Sequence, residues 1–95
     1  MAAKSFDTDD RPRRHPDSSY RAIGDEGGLV VLPGRAEVKV LNPVGVKIFS
    51  LLDGERTVRE IASEVVAEFD VALDVALGDT RDFLSNLAAH GMLAE

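Results

Sequence analysis

Apolar residues in this chain follow two rhythms, and the change between them falls near residue 42. Before it they come in short segments: Tyr20-Arg21-Ala22-Ile23, Leu29-Val30-Val31-Leu32 and Glu37-Val38-Lys39-Val40-Leu41. The turn-rich stretches Gly24-Asp25-Glu26-Gly27-Gly28 and Pro33-Gly34 separate them. The uninterrupted run Leu29 to Leu32 predicts a strand buried on both faces. Its alternating neighbours predict the flanking strands of an antiparallel three-stranded meander. The third strand is then an edge. Its charges Glu37 and Lys39 either guard against unwanted pairing or border an edge kept open for a partner.

After residue 42 the rhythm becomes helical. Asn42 suits an N-cap, since its side-chain oxygen can accept from an unpaired backbone N–H. Pro43 suits the first helical position, where a missing N–H is no loss. Val44, Ile48, Phe49, Leu51 and Leu52 follow, and Asp53-Gly54 offers a left-handed stop. Thr57 and Glu60, three apart, form a capping box that opens a second helix. Its apolar face is Val58, Ile61, Ala62, Val65, Val66 and Phe69, with Arg59, Glu60, Ser63, Glu64 and Glu68 outside. A third helix carries Leu73, Ala76, Leu77, Phe83, Leu84, Leu87 and Ala88 and ends at His90-Gly91. Gly78 inside it costs about 1 kcal/mol relative to Ala and marks a bend or a separate first turn. Met92-Leu93 close back on the core. Three strands followed by three helices give an α+β domain of winged helix-turn-helix type.

Composition narrows the chemistry. Ninety-five residues allow one small domain with a modest core. The absence of cysteine excludes disulfides, thiolate metal sites and cysteine nucleophiles. Residues 1–18 are polar, with Pro12 and Pro16 among many charges. They predict a disordered, solvated tail ahead of a domain at residues 19–95, rather than a contact for an acidic partner through Arg11, Arg13, Arg14 and His15. No apolar run approaches a membrane span, and the N-terminus lacks the apolar core of a secretory signal, so the expected location is cytoplasmic. The net charge of −6 is uneven: residues 1–21 carry about +1, which leaves about −7 on the remainder.

No catalytic constellation emerges. His15 and His90 are too few for a metal site, and His90 at a helix C-terminus has a sufficient role against the helix dipole. Gly24, Gly27 and Gly28 lack the Lys-Ser/Thr of a phosphate loop. No nucleophile stands beside a base. The expectation is a domain without reaction, cofactor or metal. Among binding functions, a winged-helix nucleic-acid binder should present basic and amide side chains from its third helix. That helix offers Arg81 and Asn86, but also Asp74, Asp79 and Asp82, which repel phosphate. The other class accepts an extended peptide on the sheet edge. An adaptor that docks on an enzyme through its helices is a third reading. An open edge also allows a strand-edge dimer in place of a monomer.

Leu29-Val30-Val31-Leu32, Val40-Leu41-Asn42, Asp53-Gly54-Glu55-Arg56-Thr57-Val58 with Glu60-Ile61, then Asp79 through Phe83-Leu84, Leu87 and Gly91-Met92-Leu93 together resemble the PqqD family, named for pyrroloquinoline quinone biosynthesis protein D. The match covers roughly residues 20–93. The resemblance implies a non-catalytic chaperone that binds the leader of a ribosomally made precursor peptide. It delivers that peptide to a modifying enzyme, often of the radical S-adenosylmethionine (SAM) type. It further implies that the leader adds as a strand to the third strand and lies between it and the third helix. By position, backbone pairing would come from Glu37, Val38, Lys39, Val40 and Leu41. The pocket would draw on Asp79, Asp82, Phe83, Asn86 and Leu87, although Phe83 and Leu87 also suit the core. The turn Pro33-Gly34-Arg35-Ala36 and the charged N-terminal extension depart from the family pattern.

Overall fold

In the computed structural model, which describes residues 6–32, 34 and 37–94, the change of rhythm becomes a change of layer. Strands β1 (Ser19–Ala22), β2 (Gly28–Leu32) and β3 (Glu37–Leu41) precede helices α1 (Pro43–Ser50), α2 (Val58–Phe69) and α3 (Leu73–Ala89). The sheet order is β1-β2-β3 and both pairings are antiparallel, with Tyr20 opposite Val30 and Val30 opposite Lys39. The predicted α+β order is therefore the observed one. Of the turn between β2 and β3, Pro33, Arg35 and Ala36 lie outside the described residues.

One expectation about the sheet fails. The central strand is buried on a single face: Gly28, Val30 and Leu32 point into the core, while Leu29 and Val31 are half-buried. The helices pack on the Val30 side, where Leu41, Ile48, Phe49, Leu52, Ile61 and Leu84 complete the core. The apolar run reflects an uncovered outer face that is itself apolar, because Leu29 and Val31 pair there with Val40 and Val38.

The helix boundaries follow their caps. The Asn42 side chain accepts from Gly45 N–H at 2.7 Å, and Pro43 opens α1. The helix ends at Ser50, ahead of the predicted stop, because Leu51 and Leu52 turn back tightly on Ile48 and Phe49. Gly54, at φ +80°, belongs to the inter-helix turn, where the side chain of Arg13 lies 3.3 Å from the place of a Cβ. The Thr57–Glu60 capping box is present in both directions, at 3.1 and 2.9 Å. Helix α2 ends on Asp70 in the left-handed region. Helix α3 runs unbroken through Gly78, which faces open space, so neither the expected bend nor a separate first turn forms.

Two turn carboxylates couple this region to pH. The N–H groups of Arg56 and then Glu55 hold the Asp53 carboxyl below its ordinary pKa, and the N–H of Thr57 does the same for Glu60. A carboxyl with a lowered folded-state pKa adds stability above its unfolded pKa and loses it as pH falls through the folded value. Thermal midpoints should thus stay level from neutral pH to about 5 and fall below about 4. Glu60→Gln should shallow that fall.

Thr80 lies fully buried on α3, in the same buried set as Ala76, Leu84 and Leu87, and its Oγ1 has no hydrogen-bond partner among the described residues. A buried hydroxyl without a partner carries its desolvation cost uncompensated. Thr80→Val keeps the shape and removes that cost. Urea denaturation should show a gain of about 1 kcal/mol.

The N-terminal segment is the main departure from expectation. Residues 6–18, read as the greater part of a disordered tail, lie along the helical body; residues 1–5 are outside the described residues. Phe6 is 4 % exposed and Pro12 is buried. Backbone bonds fasten the segment repeatedly: Val58 N–H to Asp10 O, Gly54 N–H to Pro12 O, Arg14 N–H to Leu52 O and Ala94 N–H to Arg13 O. The Arg14 guanidinium donates to the carbonyls of Phe49 and Ser50 at the C-terminal end of α1, and lies within 6 Å of the Tyr20 and Phe49 ring centres. Low average hydrophobicity hid two well-placed apolar anchors and a set of backbone partners.

Candidate functional site

Strand β3 is an edge, and hydrogen-bond alternation shows which of its groups are free. Ile23 N–H donates to Gly27 O at 2.7 Å, and this pairing continues in register into β1–β2. Along β2, Gly27, Leu29 and Val31 therefore turn their backbone groups to β1, while Gly28, Val30 and Leu32 turn theirs to β3. Their partners Leu41, Lys39 and Glu37 are occupied within the sheet. The N–H and C=O of Val38 and Val40 are left pointing away from it.

Side chains alternate in the opposite sense to a buried-valine strand. Val38 and Val40 are 58 % and 78 % exposed on the outer face, next to half-buried Leu29 and Val31. Glu37 and Lys39 lie half-buried on the helix side, and the side chain of Leu41 is in the core. Where β3 gives way to α1, a cavity of about 330 Å³ opens between the start of α1 and the middle of α3. Val44, Gly45, Ile48 and Phe83 supply its apolar wall, with Asp79 and Asp82 across it and Asn42 at the β3 end.

Local sequence explains this shape. Asn42 is occupied as the cap of α1, so it fixes the corner where strand becomes helix. Gly45 gives up helix propensity for space: a Cβ there would lie 3.3 Å from Leu41 Cβ and 3.4 Å from Phe83 Cε1. Asp79, Asp82 and Phe83 lie within about one turn of α3 and so reach the same cavity.

Of the residues expected at the site, β3 brings Glu37 to Leu41 to one edge, and Asp79, Asp82 and Phe83 line the cavity beside it. Asn86 is exposed one turn farther along α3, outside the cavity lining. Leu87 is fully buried and Leu41 nearly so, which leaves Leu41 its backbone alone to offer and removes Leu87 from the surface. Their place on the core stripe of helix and sheet decides this. The sequence reading missed Asn42, Val44, Gly45 and Ile48 as lining residues, since capping and core packing already accounted for three of them. A glycine inside a short helix was the available signal.

The electrostatics of the cavity are simple. Both aspartates are exposed and neither has an ion pair among the described residues, where the pairs are Lys47–Glu68 and Arg56–Asp53. Arg81, between them in sequence, directs its Nε to the Phe6 carbonyl at 2.7 Å. A larger cleft, about 700 Å³, lies under the N-terminal segment near Pro12, Gly54 and Leu93. It adjoins no open strand edge, so the smaller cavity is the better candidate. No group of three potential metal ligands occurs among the described residues, and His15 Nδ1 accepts from Asp17 N–H at 3.0 Å.

The model of one protein family, Coenzyme PQQ synthesis protein D (PqqD), matches residues 28–93. No curated protein matches the chain. Among solved structures, TbiB1 in complex with the TbiA(beta) leader peptide is similar at 27 % identity and TM-score 0.74, over 85 % of this chain and 93 % of that one. The PqqD truncation of Methylobacterium extorquens PqqCD is a stand-alone recognition element for ribosomally synthesised and post-translationally modified peptides. It is similar at 23 % identity and TM-score 0.82 over all of both chains. Lasso peptide synthetase B1, complexed with the leader peptide, is similar at 21 % and TM-score 0.75, over 90 % of this chain and 99 % of that one. At the last two identities the likeness is one of fold.

Proposed function

The chain belongs to the PqqD family, and on that premise we propose that it binds the leader of a ribosomally made precursor peptide by strand addition to β3 and presents it to the enzyme that modifies it. The observation that carries this reading is the free backbone of Val38 and Val40 beside the cavity at Asn42 and Phe83. An added strand would satisfy those donors and acceptors, while its side chains on the helix side would meet the cavity. TbiB1, bound to a leader peptide, supports the reading at the level of a related chain.

In this reading the chain performs no reaction. Its partner enzyme, of the radical SAM type implied by the resemblance, supplies the chemistry in the cytoplasm. No helix among the described residues is long and apolar enough to cross a membrane. The test is an NMR titration of isotope-labelled protein with the leader of a precursor encoded beside this chain. Amides of Val38, Val40 and Asp79 to Phe83 should shift together. A leader that saturates the protein without moving them would overturn the site.

A further inference from the structure

Resting on the strand-addition reading, we propose that the cavity between α1 and α3 takes a basic side chain, so that the leader this chain recognises carries an Arg or Lys at the position next to the end of β3. The cavity has two walls of different chemistry. One is apolar, made by Val44, Ile48 and Phe83, with Gly45 adding no side chain. The other holds two carboxylates, Asp79 and Asp82, which have no ion pair among the described residues. A purely apolar anchor would fill the first wall but draw the carboxylates out of water without a partner, which is unfavourable. A basic side chain suits both, because its aliphatic stem covers apolar surface while its head remains polar and charged. Arg fits two neighbouring carboxylates better than Lys, since its planar fork can donate to each.

The position follows from the strand. Residues of an added strand whose side chains point to the helix side stand opposite Glu37, Lys39 and Leu41. The cavity begins at Asn42, immediately after Leu41, so the residue at that end enters it. Arg81 does not fill the role from within the chain, because its Nε is engaged with the Phe6 carbonyl. The acidic body adds a long-range attraction of the same sign.

Display selection of random twelve-residue peptides on the immobilised full chain tests this. Retained peptides should be enriched for Arg, and less for Lys, at one position, and the best of them should bind about fivefold more weakly to the Asp79→Asn, Asp82→Asn double variant at low salt. That difference should shrink as salt rises. Because both aspartates are exposed, the double variant should still retain peptides, now without the basic preference. Enrichment of apolar or acidic residues at that position, or an unchanged basic preference in the double variant, overturns this inference and leaves strand addition standing. Failure of the wild-type chain to retain any peptide that Val40→Pro loses overturns the strand-addition reading itself, and the inference with it.

Discussion

Phe6→Ala should lower the stability of this fold by about 3 kcal/mol, the cost of emptying a well-packed aromatic site. The residue lies more than twenty positions before the matched family region begins at residue 28, in a segment whose composition predicts no structure. Yet its side chain is 4 % exposed and belongs to the same core as Ile61 and Leu84. Truncation removes apolar burial and leaves a cavity that a small domain can only partly collapse. The backbone near it loses support as well, since the Phe6 carbonyl is the acceptor for Arg81 Nε on α3. Against a total stability of order 5–15 kcal/mol, such a loss is large. Denaturation with urea should move the midpoint at unchanged slope, which identifies a stability effect. A shift equivalent to less than about 0.5 kcal/mol would mean that the segment does not pack as described.

That segment marks the boundary of what the amino-acid pattern can convey. The strands, the three helices and both N-caps follow from local rules: Asn42-Pro43 sets α1, and Thr57 with Glu60 sets α2. Each depends on residues within four positions of one another. Residues 6–18 depend on partners far along the chain, such as Leu52, Val58 and Met92, and pair through backbone atoms that every sequence possesses. Periodicity cannot register such contacts. The same holds for the site. The edge status of β3 could be read from strand order, and Asp79, Asp82 and Phe83 from the family resemblance. That the cavity is completed by Val44, Gly45 and Ile48 depends on how α1 meets α3. Leu87 shows the converse: a position on the third helix was legible, but which way it faces was settled by packing.

Two proline substitutions one residue apart in β3 should have opposite consequences. Val40→Pro removes an N–H that points away from the sheet, and edge strands tolerate proline at such positions. The fold should survive with little loss. An incoming peptide strand, however, would meet a ring where it needs a donor, and its own carbonyl would be left unsatisfied. Leader affinity should fall about tenfold or more, since an unpaired buried acceptor costs about 1–3 kcal/mol. Lys39→Pro instead removes an N–H paired with Val30, on the central strand at the core face. It should destabilise the domain by about 2 kcal/mol or more. Measuring both variants by urea denaturation and by leader titration separates the two roles of the strand. If Val40→Pro lost stability and Lys39→Pro did not, the assignment of free and paired groups along β3 would be inverted. If Val40→Pro bound leader as tightly as the parent, affinity would have to come from side chains alone, and the open edge would serve some other purpose.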